Sequence, residues 1–145
     1  MSISLELVGD RWSLLIVRDL MVRGYRTFKD FQQAGEGIAS NILARRLRTL
    51  QACGIISAER ETLDRRRTNY RLTEKGIDLA PVLLELLIWG ARHEESAAPC
   101  ALIDEMDKNG EQVLAKVRRQ WKERDYTPIL PRFAEGKPGR SSGRK

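Results

Sequence analysis

Gly37-Ile38-Ala39-Ser40-Asn41-Ile42-Leu43-Ala44-Arg45-Arg46-Leu47-Arg48-Thr49-Leu50-Gln51-Ala52-Cys53-Gly54 decides the fold of this 145-residue chain. Leu43, Leu47 and Leu50 recur at i, i+4 and i+7, one stripe of an α-helix that faces a core. At about 100° per residue, Asn41, Arg45 and Arg48 fall on the opposite stripe. Ser40 suits the N-cap or the first turn, and Gly54 suits the C′ position. One amide and two guanidiniums on an exposed stripe match adenine edges, guanine edges and phosphates. The same pattern also fits a solvated amphipathic helix with ordinary surface arginines, so the flanking sequence has to decide.

Upstream, Ile3 to Val8 reads as one or two helical turns ending at Gly9. Asp10 can cap a helix from about Arg11 to Val22, whose apolar side chains, Trp12 to Met21, spread almost all round it. Such a helix belongs at the centre of a small domain. Gly24 ends it. Thr27 can cap a short helix from Phe28 to about Gln33, with Phe28 and Phe31 as its buried side. A glycine-containing loop, Ala34 to Gly37, then delivers the chain to the Ser40 helix. Two short helices, the second polar and basic outside, form a helix-turn-helix pattern.

Downstream, the periodicity changes to that of strands, Ile55 to Glu61 and Asn69 to Leu72. Between them Thr62-Leu63-Asp64-Arg65-Arg66-Arg67-Thr68 carries three consecutive arginines at a hairpin tip. A hairpin directly after a helix-turn-helix makes a wing. Its arginines are either a solvated turn or, beside the Asn41/Arg45/Arg48 stripe, a contact to a groove or to phosphates.

Thr73 can cap the next helix, Glu74 to about Glu95, within which Pro81 predicts a kink or a restart. From Val82 to Trp89 nearly every side chain is apolar, more than one face requires. The surplus implies either dimerisation or packing under the C-terminal segment. Ala101 to Asp107 and Glu111 to about Arg124 read as two further helices, the second with Val113, Leu114, Val117 and Trp121 as its buried stripe. Residues 125–133 are expected to be extended, and 134–145 a disordered basic tail.

Charge is segregated along the chain. The net +6 resolves into +6 over residues 23–72, −3 over 73–131, +4 over 132–145 and −1 over 1–22. That distribution suits a polyanion-binding module joined to a neutral or acidic assembly module. Two cysteines give no disulfide framework, and the longest apolar run is too short to span a bilayer. The chain is therefore expected to be cytoplasmic, with no membrane partner. His93 is the lone histidine, and Cys53 and Cys100 lack metal-ligand spacing. Glu105-x-Asp107-x-Asn109-Gly110 resembles the start of a calcium loop, but its twelfth position is Lys116, where a bidentate Glu is needed. No catalytic group, cofactor loop or metal cluster assembles, and an enzyme is not expected.

With the order of elements in place, the sequence resembles the HxlR-type winged helix-turn-helix transcriptional regulators, a branch related to the MarR-like regulators. The resemblance is carried by Leu7 to Leu20, by Thr27-Phe28-Lys29-Asp30-Phe31, by Gly37 to Leu47, by Tyr70-Arg71-Leu72-Thr73-Glu74-Lys75-Gly76 and by Pro81 to Gly90. It implies a homodimer, formed through terminal helices, on a palindromic operator in double-stranded DNA. It places Asn41, Arg45 and Arg48 on a recognition helix in the major groove, Arg65, Arg66 and Arg67 on the wing, and Thr27 and Lys29 at backbone phosphates, with Ser40 opening the recognition helix. Many relatives carry a cysteine just before the first helix, which some use as a sensor. None stands there in this sequence, and thiol sensing through that position is not expected. The wing also lacks the prolines common in relatives, which leaves its path open.

The expected architecture is mainly α with a small β-hairpin. Residues 1–95 form the winged helix-turn-helix with a dimerisation helix, 96–131 a helical extension, and 132–145 the tail. The leading expectation is a sequence-specific DNA-binding regulator, a dimeric repressor. The alternative is a winged-helix protein-interaction module. Room for a small-molecule effector, of no stated identity, is expected between the dimerising helices and the Trp12 helix.

Overall fold

A computed structural model describes residues 1–95 and 100–130. Within them the order is α1 (Ser2–Val8), α2 (Arg11–Val22), α3 (Phe28–Gln32), α4 (Ser40–Ala52), β1 (Ile56–Arg60), β2 (Thr68–Leu72), α5 (Glu74–Ile77), α6 (Ala80–His93), α7 (Cys100–Lys108) and α8 (Gly110–Glu123). The chain is thus mostly helical around one antiparallel hairpin, in which Ile56 faces Leu72 and Arg60 faces Thr68. The expected tail and the break at Pro99 lie outside the described residues.

α2 starts where its cap dictates: the Asp10 carboxylate accepts the Ser13 amide at 3.0 Å. Its buried side is Ser13, Ile16, Val17 and Asp19, so the core takes two polar side chains with it. Asp19 accepts Arg23 at 3.1 Å and the Arg18 side chain at 2.9 Å. Arg18 also reaches Glu36 at 3.0 Å, tying α2 to the loop that leads into α4. Burial, against the pull of both guanidiniums, holds the Asp19 carboxyl above its ordinary value.

α4 buries Leu43, Leu47 and Leu50 completely, the stripe its sequence spacing requires. Its end is a Schellman motif: the Gly54 amide bonds the Gln51 carbonyl and the Ile55 amide bonds Leu50, with Gly54 at φ +71°. At its start Ser40 takes the first-turn position of the two its sequence allowed. Ala39 occupies the N-cap without a side-chain bond, and the Ser40 hydroxyl instead accepts the Gln32 amide of α3 at 2.7 Å.

The long helix expected after Thr73 is two helices. Thr73 caps α5 by accepting the Gly76 amide at 3.2 Å, and α6 restarts with Pro81 in its first turn, where a missing N–H costs nothing. Gly76 is required by close approach, since a Cβ there would lie 2.2 Å from the Ile55 carbonyl oxygen.

The extension is part of the same body. Val117 of α8 joins the core built by α2, α4 and the hairpin, while Leu84 and Ile88 of α6 pack with Met106 of α7 in a second cluster. Intrachain packing therefore takes one side of the apolar surplus in α6. The other side, Val82, Leu86 and Trp89, stays exposed.

Candidate nucleic-acid interface

Local rules build the first helix of the motif. Thr27 and Asp30 form a reciprocal capping box, the Thr27 hydroxyl accepting the Asp30 amide at 3.2 Å and the Asp30 carboxylate accepting the Thr27 amide at 2.9 Å. Lys29 is exposed one turn in. The Gln32–Ser40 bond then joins α3 to the start of α4. With no side-chain cap on α4, its first amides and the positive end of its dipole stay open.

Along α4 the three arginines separate by environment. Arg46, between the two stripes, is half-buried and meets Asp10 at 3.3 Å. Asn41, Arg45 and Arg48 are exposed on the face opposite the leucines, and among the described residues no acidic side chain meets either guanidinium. At the other end of the helix, the Lys75 ammonium donates to the Cys53 carbonyl at 2.7 Å, a cation where the helix dipole is negative. Cys53 is half-buried against the core.

The wing follows α4 with only a short turn between them, so hairpin and helix are fixed to each other through Gly54 and Ile55. Its path, open in the sequence, is set by Asp64. That carboxylate accepts the Arg66 amide at 3.0 Å and the Asp64 carbonyl accepts the Arg67 amide at 2.9 Å, an Asx turn in place of proline. Arg65, Arg66 and Arg67 are all exposed. They do not form a uniform triplet: Arg67 folds back to Glu61 at 3.7 Å, leaving Arg65 and Arg66 nearer the tip with the fully exposed Leu63.

Sequence reasoning missed what holds the wing. The Trp121 indole donates to the Leu72 carbonyl at 2.8 Å, and the Arg71 guanidinium lies 4.8 Å over the same ring. Arg124 forks onto both carboxylate oxygens of Glu59 at 3.1 and 3.2 Å. Arg26, beside the α3 cap, lies 3.9 Å over the Tyr126 ring. The only available signal was Trp121 on the predicted buried stripe. Its partners lie about fifty residues away and leave no local trace. Among the described residues there is no metal-ligating cluster, and no helix is long and apolar enough to cross a membrane.

The HxlR-like helix-turn-helix family profile matches residues 7–98, a stretch that contains Thr27, Lys29, the α4 stripe and the wing arginines but not Trp121, Arg124 or Tyr126. The chain belongs to the HxlR family. The chain is similar to proteins named as HTH-type transcriptional regulators, among them Rv3095 of Mycobacterium tuberculosis, 40% identical over 87 residues that cover 60% of this chain and 54% of that one. YdeP of Bacillus subtilis is 28% identical over 92 residues, covering 63% and 71%. This HxlR-family chain therefore spans about half the length of the mycobacterial relatives it matches. Among solved structures it is similar to the reduced form of the transcriptional regulator YodB from Bacillus subtilis, with TM-score 0.55, 31% identity, and 64% and 90% of the two chains covered. It is also similar to the redox regulator HypR in its oxidized form, with TM-score 0.59, 27% identity, and 66% and 97% covered. In each comparison the matched portion leaves over a third of the HxlR-family chain uncovered.

Proposed function

We propose that this HxlR-family protein is a sequence-specific regulator that binds double-stranded DNA as a homodimer and acts as a repressor. The observation that carries the reading is the outward stripe Asn41, Arg45 and Arg48, whose charges no acidic side chain among the described residues neutralises. In the major groove, an amide and two guanidiniums discriminate bases by bidentate contacts. Thr27 and Lys29, and Ser40 at the open helix start, serve the phosphates. Arg65, Arg66 and Arg67 supply wing contacts to the backbone or the minor groove.

The dimer reading is supported by exposed apolar side chains at two places. Ile3 and Leu5 on α1, and Val82, Leu86 and Trp89 on α6, are each about half exposed or more, and surface of this kind marks an interface. Two copies related by a twofold axis would place recognition helices on successive major grooves, about 34 Å apart. We take residues 1–95 as the DNA-binding and dimerising unit and 96–131 as the extension. The absence of a membrane-spanning helix among the described residues fits a cytoplasmic regulator.

Selection of bound duplexes from a random library, with affinity measured at several salt concentrations, tests the reading. A palindromic consensus bound far more tightly than random DNA is expected. Equal affinity for all duplexes would return the chain to the protein-interaction alternative.

A further inference from the structure

Between α2, α6, α7 and α8 lies an apolar cavity of about 260 Å³, open to solvent on the side where the half-exposed Leu86 of α6 lines it. Leu14 and Met21 of α2, Leu83 and Leu87 of α6, and Val113 and Leu114 of α8 form most of its wall, and Ile129 and Leu130 close one side. That side is fastened: the Ile129 and Leu130 amides both bond the Val22 carbonyl, at 2.8 and 3.0 Å. Arg18 is the single polar residue of the lining, and its guanidinium is already committed to Asp19 and Glu36. Water needs two to four polar partners, and an apolar cavity of about 150 Å³ stays dry yet takes up benzene. This one is larger and offers neither a partner for water nor a free charge for an anion. Met106, Val113, Leu114, Val117, Ile129 and Leu130 lie beyond residues 7–98, the span of the family match.

α8 has two ends with different duties. Its first half walls the cavity with Val113, Leu114 and Val117. Its last turn holds the hairpin, through the Trp121 indole on the Leu72 carbonyl and the Arg124 fork on Glu59. A rigid helix displaced at one end moves at the other.

We propose that this cavity binds a compact, uncharged, apolar molecule of about two fused rings, and that α8 carries its occupancy to the wing. The consequence for DNA rests on the DNA-binding reading above, but the test uses no DNA, so failure of one is distinguishable from failure of the other.

Naphthalene is the probe, with 2-naphthoate as its charged counterpart, added to the full chain. Naphthalene is expected to raise Tm saturably. The carboxylate should bind at least about tenfold more weakly, because it would lose its hydration without meeting a free cation. Leu83→Trp fills the cavity and should abolish the shift. Val113→Phe provides the same reading if the first variant does not fold. Absence of a naphthalene shift, an equal response to naphthoate, or a shift that survives both filled variants overturns the site. In ¹⁵N–¹H spectra the β2 amides, Thr68 to Leu72, which do not line the cavity, should move with the same midpoint. Silent β2 amides at saturation overturn the link to the wing. Sedimentation should be unchanged by naphthalene. Loss of self-association would make the cavity a contact between copies and overturn the proposal.

Discussion

Asp10 and Arg46 join the start of α2 to α4 through a carboxylate that is already in use. Its Oδ1 accepts the Ser13 amide at 3.0 Å and meets Arg46 Nε at 3.3 Å. The outward aim of Asn41, Arg45 and Arg48 therefore depends partly on a residue outside the helix-turn-helix. Burial pushes the Asp10 carboxyl up, but the Ser13 hydroxyl and amide and the Arg46 guanidinium outweigh it, leaving it below its ordinary value.

That depression has a pH signature. A carboxyl lowered in the folded state contributes stability above its unfolded value, about 3.9, and the contribution is lost as pH falls through the folded value. Asn at position 10 still caps a helix but has no charge. Asp10→Asn should lower the urea midpoint at pH 7, and the gap from the parent protein should narrow below about pH 4. Asp19, whose carboxyl is raised, has the opposite sign, since its ionisation opposes folding as pH rises. Taking the difference between the two proteins at each pH cancels it. A gap that stays constant from pH 7 to pH 3 would show that the pair contributes nothing electrostatic.

Gly76→Ala should destabilise the protein by about 1–3 kcal/mol. Alanine is the better helix former by about 1 kcal/mol, so propensity alone predicts the opposite sign. The close Ile55 carbonyl decides the outcome, and thermal unfolding reads it.

The two sets of arginines should separate in DNA titrations. Arg66→Ala is expected to weaken all duplexes about equally and to flatten the salt slope by roughly one charge. Arg48→Ala should erode the gap between operator and random DNA by about 1–3 kcal/mol. Equal loss of specificity in both variants would contradict this division of labour.

Trp121→Phe keeps the ring and removes the indole bond to Leu72. A cost of about 0.5–1.5 kcal/mol is expected, with faster amide exchange in β2. Arg124→Ala breaks a more exposed fork and should cost less, within about 1 kcal/mol.

Leu86→Glu places a charge in the middle of the exposed α6 stripe. Sedimentation should show a shift to monomer with the thermal stability of the monomer little changed, because Leu86 is already half exposed. An unchanged oligomer would move the interface elsewhere.

The sequence was most legible where short-range chemistry sets the structure. Asp10 capped α2 at the expected residue, the Leu43/Leu47/Leu50 stripe was buried, Gly54 ended α4 with a left-handed turn, and Pro81 marked a restart. Ser40 was expected to cap or to open the helix, and it opens it. A tertiary partner, Gln32, engages its hydroxyl while Ala39 takes the cap. The Asx turn at Asp64 is a local feature, an aspartate two residues before the amide it accepts, and so lies within reach of sequence alone. The Asp10–Arg46 and Glu59–Arg124 pairs were beyond reach, because nothing in a single sequence marks two surface charges 36 or 65 positions apart as neighbours. The α6 surplus was readable as an excess but not as a division, since that depends on where α7 and α8 settle.

The fastening of α8 to the hairpin has a practical consequence for anyone trimming this protein. A cut at residue 98, where the family match ends, would strip the cover from Leu84, Ile88 and Leu72 and leave Arg71 without its aromatic neighbour. The shorter piece would carry an uncovered oily flank, the kind of surface that drives association. A fragment that ends at residue 130 keeps every one of these contacts.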